Sequence, residues 1–149
     1  MTRVAPFVVI AMLSMPSTAA SQVLILSPQT ISFPSSDPDT VPVVSAPPMQ
    51  VTYLVVGGGR GRAWSITVRA NGDLTAGAAQ IPISNITWVA TPNPPFRNGT
   101  LSSTVAQTLA SGTGSIVLNR GSVTFRLANS WNYSVGNYSQ TVVFTLSSP

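Results

Sequence analysis

The dominant pattern along this chain is an alternation of apolar residues with Ser, Thr or Arg. It is clearest in the segments Trp64–Ala70, Ser122–Leu127 and Tyr138–Ser147. A period of two places successive side chains on opposite faces of a strand, so that one face is buried and the other meets solvent. The pattern therefore predicts half-buried β-strands.

Further strands are predicted where short apolar runs are separated by Gly, Asn, Asp and Ser, which favour turns. Gly57–Gly59, Asn71–Asp73 and Ser111–Gly114 are such turns. Many short strands separated by such turns are typical of a β-sandwich or β-barrel. The predicted strands are Val23–Leu26, Thr30–Phe33, Gln50–Val56, Trp64–Ala70, Ile81–Val89, Ser115–Leu118, Ser122–Ala128 and Tyr138–Ser147, with Val41–Ser45 and Leu101–Leu109 as weaker candidates.

The apolar phase changes within one of these segments. Ile81 and Ile83 share one parity, whereas Ile86 and Trp88 share the other. All four can face the core only if the strand gains one residue near Ser84–Asn85. We therefore predict a β-bulge or a strand break at that point.

The beginning of the chain has the three-part layout of a secretory signal peptide. Arg3 supplies positive charge, Val4–Met15 is a short apolar run, and Ser17–Ser21 offers small residues for cleavage. The run is too short for a membrane span, which needs about 20 apolar residues. An uncleaved interfacial helix is the alternative. We predict a cleaved leader over residues 1–21 and one domain over 22–149, with no later membrane segment.

The composition removes most of the side chains that enzymes use. The chain has no His, Cys, Lys or Glu. Activation of a Ser or Thr nucleophile needs a base such as His or Lys, and zinc sites need His or Cys. Asp37 and Asp39, with Asp73, make a weak calcium candidate, since Ca²⁺ takes six to eight oxygen ligands, and turn formation is the alternative. We predict no enzyme activity, no cofactor and no metal.

The net charge of +4 at pH 7 reflects few carboxylates rather than a basic surface. Nucleic-acid binding needs clustered basic residues, and Arg60 with Arg62 is the single cluster. In Gly57–Arg62 these two arginines could contact an anion, but a phosphate-binding loop should open a helix. This loop joins Gln50–Val56 to Trp64–Ala70, so we predict a long hairpin loop and no nucleic-acid partner.

The aromatic residues divide into core and loop candidates. Trp64 and Trp88 lie on the apolar side of their strands, so we expect them in the core. Trp131 and Tyr133 lie in a polar turn region and are the candidate ligand contacts, for example for a glycan. Tyr138 follows a Gly-Asn turn and is expected to pack its ring and to donate its hydroxyl to nearby backbone.

Two stretches resemble known bacterial secreted domains. Ser122–Trp131 followed by Gly136–Leu146 is similar to the end of pilin-like and spore-coat-U-like sandwich domains, and Leu26–Phe33 resembles the opening of secreted immunoglobulin-like domains. The resemblance implies assembly into surface fibres, in which one subunit lends a strand to another. The chain departs from the usual pattern by lacking Cys, and its first strand, Val23–Leu26, is apolar on both faces.

These observations predict an all-β fold, an immunoglobulin-like antiparallel sandwich of about seven to nine strands, exported by a bacterium. The expected function is that of a non-enzymatic structural subunit of a surface or extracellular assembly, with copies of itself or other surface subunits as partners. The alternative is a secreted module that binds carbohydrate or matrix polymer. The Pro-rich connector Pro34–Pro48 is expected to cross between sheets or to follow an edge.

Overall fold

The fold is built almost entirely from strands. The computed structural model describes residues 6–11, 21–56 and 61–148. No α-helix is present in these ranges. The strands are β1 (Pro6–Ala11), β2 (Ser21–Ser27), β3 (Thr30–Ser32), β4 (Val43–Ser45), β5 (Met49–Val56), β6 (Ala63–Ala70), β7 (Leu74–Ala76), β8 (Ala79–Ile81), β9 (Ile86–Thr91), β10 (Gly99–Thr100), β11 (Gln107–Thr113), β12 (Ile116–Ala128) and β13 (Thr141–Ser147).

The strands form two large sheets. The first sheet has the order β11-β6-β13-β1-β3, and the second has the order β10-β9-β12-β5-β2, with β4 pairing to the end of β12. A small hairpin, β7–β8, stands apart from both. Neighbouring strands are antiparallel, except that β1 runs parallel to β13. The all-β prediction is confirmed, with thirteen strands in the described ranges because several connections form strands of two or three residues.

The core lies between the two sheets. Strands β5 and β6 alternate buried and more exposed residues along their length, as a period of two requires. The ring centroids of Tyr53 on β5 and Trp64 on β6 lie 5.0 Å apart, which joins the two sheets. Each fully buried large apolar side chain contributes about 1.5–3 kcal/mol, so this interface replaces the disulfide bonds that a Cys-free chain cannot form.

The predicted strand break is confirmed. Strand β8 ends at Ile81, a 3₁₀ turn covers Ile83–Asn85, and β9 begins at Ile86. The break changes the phase, so that Ile81, Ile83, Ile86 and Trp88 are all buried.

Two strands that were predicted separately form a single strand, and one predicted turn lies mostly within a strand. Ser115–Leu118 and Ser122–Ala128 belong to one strand, β12, whose register against β5 shifts between Ile116 and Asn119. Gly121 suits the strand because a Cβ there would overlap the ring of Phe96. Strand β11 continues through most of the predicted turn Ser111–Gly114 and ends before Gly114, whose φ is +82°.

The predicted hairpin between β5 and β6 is wrong. Strand β5 pairs with β2 and β12 in the second sheet, whereas β6 pairs with β11 and β13 in the first. The two strands bury their apolar faces against each other across the core rather than side by side. Their connection therefore passes from one sheet to the other, and residues 57–60 of that loop lie outside the described residues.

The remaining connections follow the sequence more closely. The connector Pro34–Pro48 crosses from β3 in the first sheet to β4 in the second, which is one of the two routes predicted for it. The final predicted strand begins at Thr141 rather than Tyr138, although Ser139 forms a single bridge with Thr75. Within the described ranges, no helix has the length and hydropathy needed to cross a bilayer.

Candidate functional site

The most informative local arrangement is the position of β1 in the first sheet. Strand β1 lies between β13 and β3, parallel to β13 from Val8↔Thr141 to Ala11↔Phe144 and antiparallel to β3. Within the described residues, β3 has no other strand partner. The short strand β3 is therefore attached to its sheet through β1 alone.

We call the strand-wide space between β13 and β3 the β1 slot. Because neighbouring strands are about 4.8 Å apart, the slot is roughly 10 Å wide between backbones. Val142, Phe144 and Leu146 of β13 are fully buried on one side of it, and Ile31 of β3 is buried on the other. The slot is thus bordered by two backbone edges and lies over the core.

Strand β1 falls inside the predicted signal peptide. Residues 6–11 form part of the apolar run Val4–Met15, and residues 12–20 lie outside the described residues. Removal of residues 1–21, which stays a prediction, would take away the strand that completes the sheet. The backbone groups of β13 that face β1 would then lose their hydrogen-bond partners.

The two aromatic candidates differ in their surroundings. Trp131 is 56% exposed, and its Nε1 donates to Oδ1 of Asp39 at 2.9 Å. Tyr133 is half-buried against the core, and its hydroxyl accepts from Nδ2 of Asn85 at 2.6 Å. Burial raises the pKa of Tyr133, and the hydrogen bond with Asn85 acts in the opposite direction. The ring of Trp131 is therefore more accessible to a ligand than the ring of Tyr133.

The two candidate arginines, Arg60 and Arg62, are not placed beside Trp131 and Tyr133 in the described structure. Arg60 lies outside the described residues. Arg62 is exposed just before β6, where its carbonyl accepts from the backbone N–H of Gly114 at 2.8 Å. Arg62 therefore adjoins a strand of the first sheet, whereas Trp131 follows β12 of the second sheet.

The three aspartates serve hydrogen bonds in different places. Oδ1 of Asp37 accepts from the backbone N–H of Asp39 at 2.9 Å, as in a tight turn. Asp39 accepts from Trp131, as described above, and Oδ1 of Asp73 accepts from the backbone N–H of Ile83 at 2.9 Å. In the part of the chain that the structure describes, no cluster of three acidic residues could hold a metal ion.

Sequence reasoning missed a shallow cleft on the outer face of β6 and β13. Its volume is about 500 Å³, and Thr67, Arg69, Thr141 and Thr145 line it. Solvent-facing Thr and Arg side chains on adjacent strands are expected wherever one face of a sheet is exposed to solvent. Knowledge of the pairing between β6 and β13 would have been needed to place these residues together.

No protein-family model matches the chain, and no curated protein is similar to it.

Proposed function

We propose that this chain is a structural subunit of a bacterial surface or extracellular assembly. In this proposal the exported domain is an immunoglobulin-like sandwich of pilin-like type, and a strand supplied by another subunit replaces β1. The observation that carries the proposal is that β3, among the described residues, pairs with β1 and with no other strand. The donor is an extended segment from a copy of the chain or from another surface subunit.

The energetics favour refilling of an emptied slot. Loss of β1 would leave one edge of β13 unpaired above a fully buried row of Val142, Phe144 and Leu146. Backbone N–H and C=O groups that lie next to an apolar core without hydrogen-bond partners raise the free energy of the folded chain. A strand that pairs with both edges would restore the hydrogen bonds and cover the core, as in β-strand addition.

The composition supports a role without catalysis. The chain lacks His, Cys, Lys and Glu, and the three aspartates are committed to turns or to neighbouring backbone and ring N–H groups. A subunit of an assembly needs a stable core and strand edges that can pair with a partner, and neither requires a reactive side chain.

The size distribution of two forms of the chain tests the proposal. The full chain keeps β1, whereas a chain of residues 22–149 has an open slot. In sedimentation velocity we expect 22–149 to form concentration-dependent species larger than any formed by the full chain. A peptide of residues 4–13 should return it to the size of the full chain. Identical distributions for the two forms, with no response to the peptide, would contradict the proposal.

The exposure of Trp131 favours a second candidate function, binding of a glycan or matrix polymer. An exposed indole next to a carboxylate, Asp39, could stack on a sugar ring while the acid accepts from a hydroxyl group. On a glycan array, Trp131→Ala should abolish retention, whereas Trp131→Phe should keep part of it. Absence of any retained glycan with the unchanged chain would remove this candidate.

A further inference from the structure

The edges of the two sheets are protected to different degrees. Exposed strand edges are templates for association, and proteins usually shorten, cover or charge them. Strand β10 has two residues, and β3 and β4 have three each. Strand β11 is longer, but the backbone N–H of Arg97 donates to Leu109 and the N–H of Ser111 donates to Pro95, so a neighbouring segment covers it.

In the part of the chain that the structure describes, strand β2 has none of these protections. All seven of its residues, Ser21–Ser27, pair with β5 in one unbroken register, without a bulge. We call the side of β2 that faces away from β5 the β2 edge. Among the described residues, no backbone hydrogen bond reaches this edge. The strand also contains no charged side chain and no Pro.

The outer face beside the β2 edge is unusually apolar. Val23 is 38% exposed and Ile25 is 53% exposed, although both lie on the solvent side of the strand. Val56 on the adjacent strand β5 is 43% exposed, and Leu118 on β12, one strand further from the edge, is 66% exposed. A patch of exposed aliphatic residues that extends to a free strand edge marks an association surface rather than scattered solvent-facing positions.

A second copy of the same strand fits this surface best. Antiparallel pairing of two β2 strands about Leu24 would set Val23 of each copy opposite Ile25 of the other, on the same face. Such aliphatic cross-strand pairs are stabilising. The arrangement brings no like charges together, because the two Arg120 side chains would lie five strand spacings apart, about 24 Å, well beyond the Debye length of about 8 Å at physiological salt.

We propose that the chain forms a two-fold dimer through antiparallel pairing of the β2 edges, which joins two second sheets into one continuous sheet. This interface is distinct from the β1 slot and does not depend on the function proposed above. In the full chain β1 occupies the slot, so the dimer can be tested there while the slot is closed.

The test measures dimerisation of the full chain, with its leader retained, by analytical ultracentrifugation. We expect a monomer–dimer equilibrium for the unchanged chain. Ile25→Lys should weaken it at least tenfold, because the two-fold axis repeats the substitution and each cross-strand pair contributes up to about 1 kcal/mol. Val105→Lys, which changes an exposed residue outside the strands, is the matched control and should leave the dissociation constant unchanged.

Cross-linking fixes the orientation, because the chain has no Cys of its own. An equimolar mixture of the Val23→Cys and Ile25→Cys chains should form mixed disulfides faster than either chain forms them alone. A monomer at all concentrations, a dimer insensitive to Ile25→Lys, or preferential pairing of Val23→Cys with itself would overturn the proposal. Larger assemblies formed by residues 22–149 test the β1 slot, whereas dimerisation of the full chain tests the β2 edge. Failure of one proposal can therefore be distinguished from failure of the other.

Discussion

At the scale of single residues, Tyr138 shows how the chain closes one end of its core. Its ring is fully buried, and its hydroxyl donates to the carbonyl of Ser134 at 2.8 Å. The sequence predicted both features from the Gly136–Tyr138 turn that precedes the last strand. The hydrogen bond is local, which is why it could be anticipated without knowledge of the strand pairing.

Substitution of Tyr138 by Phe should remove this hydrogen bond and leave the packing in place. We expect the free energy of unfolding in urea to fall by about 1 kcal/mol, the usual net value of such a bond. Tyr138→Ala should cost about 3–5 kcal/mol, because it also removes the buried ring. Equal stability of the Phe variant and the unchanged chain would show that the hydroxyl contributes nothing.

Two other tyrosines give the stability a predictable dependence on pH. Burial raises the pKa of Tyr53, and the side chain of Asn119 opposes the shift. Burial likewise raises the pKa of Tyr133, and Asn85 opposes that shift. A pKa raised above the unfolded value of about 10 means that the folded state favours the neutral phenol. This contribution is complete below about pH 10 and is lost as the pH rises through the folded pKa.

The free energy of unfolding should therefore decrease as the pH rises above about 10. Chemical denaturation at several pH values measures the slope. In a chain that carries both Tyr53→Phe and Tyr133→Phe the slope should be shallower, because the two groups no longer titrate. A slope that the double substitution leaves unchanged would assign the pH dependence to other groups.

At the scale of elements, the break between β8 and β9 depends on one carboxylate. Oδ1 of Asp73, which precedes β7, accepts from the backbone N–H of Ile83 in the 3₁₀ turn. This bond ties the small β7–β8 hairpin to the point where the apolar phase changes. Asp73 therefore stabilises the arrangement that allows Ile81 and Ile86 to be buried together.

Asp73→Ala should lower the free energy of unfolding by about 1–2 kcal/mol, since a partly buried backbone N–H loses its acceptor. Asp73→Asn keeps an acceptor oxygen and should stay closer to the unchanged chain. Asp37→Ala removes the same charge from an exposed turn and should cost about 0.5 kcal/mol or less. If Asp73→Ala were no more destabilising than Asp37→Ala, the link to Ile83 would have no energetic weight.

The elements also show which parts of the fold the sequence could predict. Period-two alternation located β5, β6 and β13 and identified their buried faces, and the phase change located the break at Ile83–Asn85. Alternation does not say which strands are partners, so the sheet-to-sheet connection from β5 to β6 was mistaken for a hairpin. The sequence predicted separate strands on either side of Gly121, whereas Gly121 lies within β12 and its missing side chain makes room for the ring of Phe96.

The candidate sites were predictable only in part. The exposure of Trp131 agrees with its polar surroundings in the sequence, but the hydrogen bond from Asn85 to Tyr133 joins segments 48 residues apart. The position of β1 could not be predicted, because an apolar run without alternation is typical of a signal peptide. Its pairing with β13 depends on residues more than 130 positions away, and no local pattern carries that information.

At the scale of the whole molecule, the two sheets differ in how they end. The first sheet is completed by β1, which lies in the predicted signal peptide, whereas the second sheet ends at the uncharged strand β2. The first feature is the basis of the proposed strand exchange through the β1 slot, and the second is the basis of the proposed β2 dimer. Together they would allow a subunit to associate both through a donated strand and along an edge.

The most direct test of the central claim is binding of a β1 peptide to a chain of residues 22–149. A peptide of residues 4–13, with added lysines for solubility, is titrated into 22–149, and amide hydrogen exchange is followed. We predict saturable binding that protects the amides of β3 and β13. A peptide with Pro in place of Val9, which lies opposite Val142, should bind much more weakly. Unchanged exchange in β3 and β13 at saturating peptide would contradict the account.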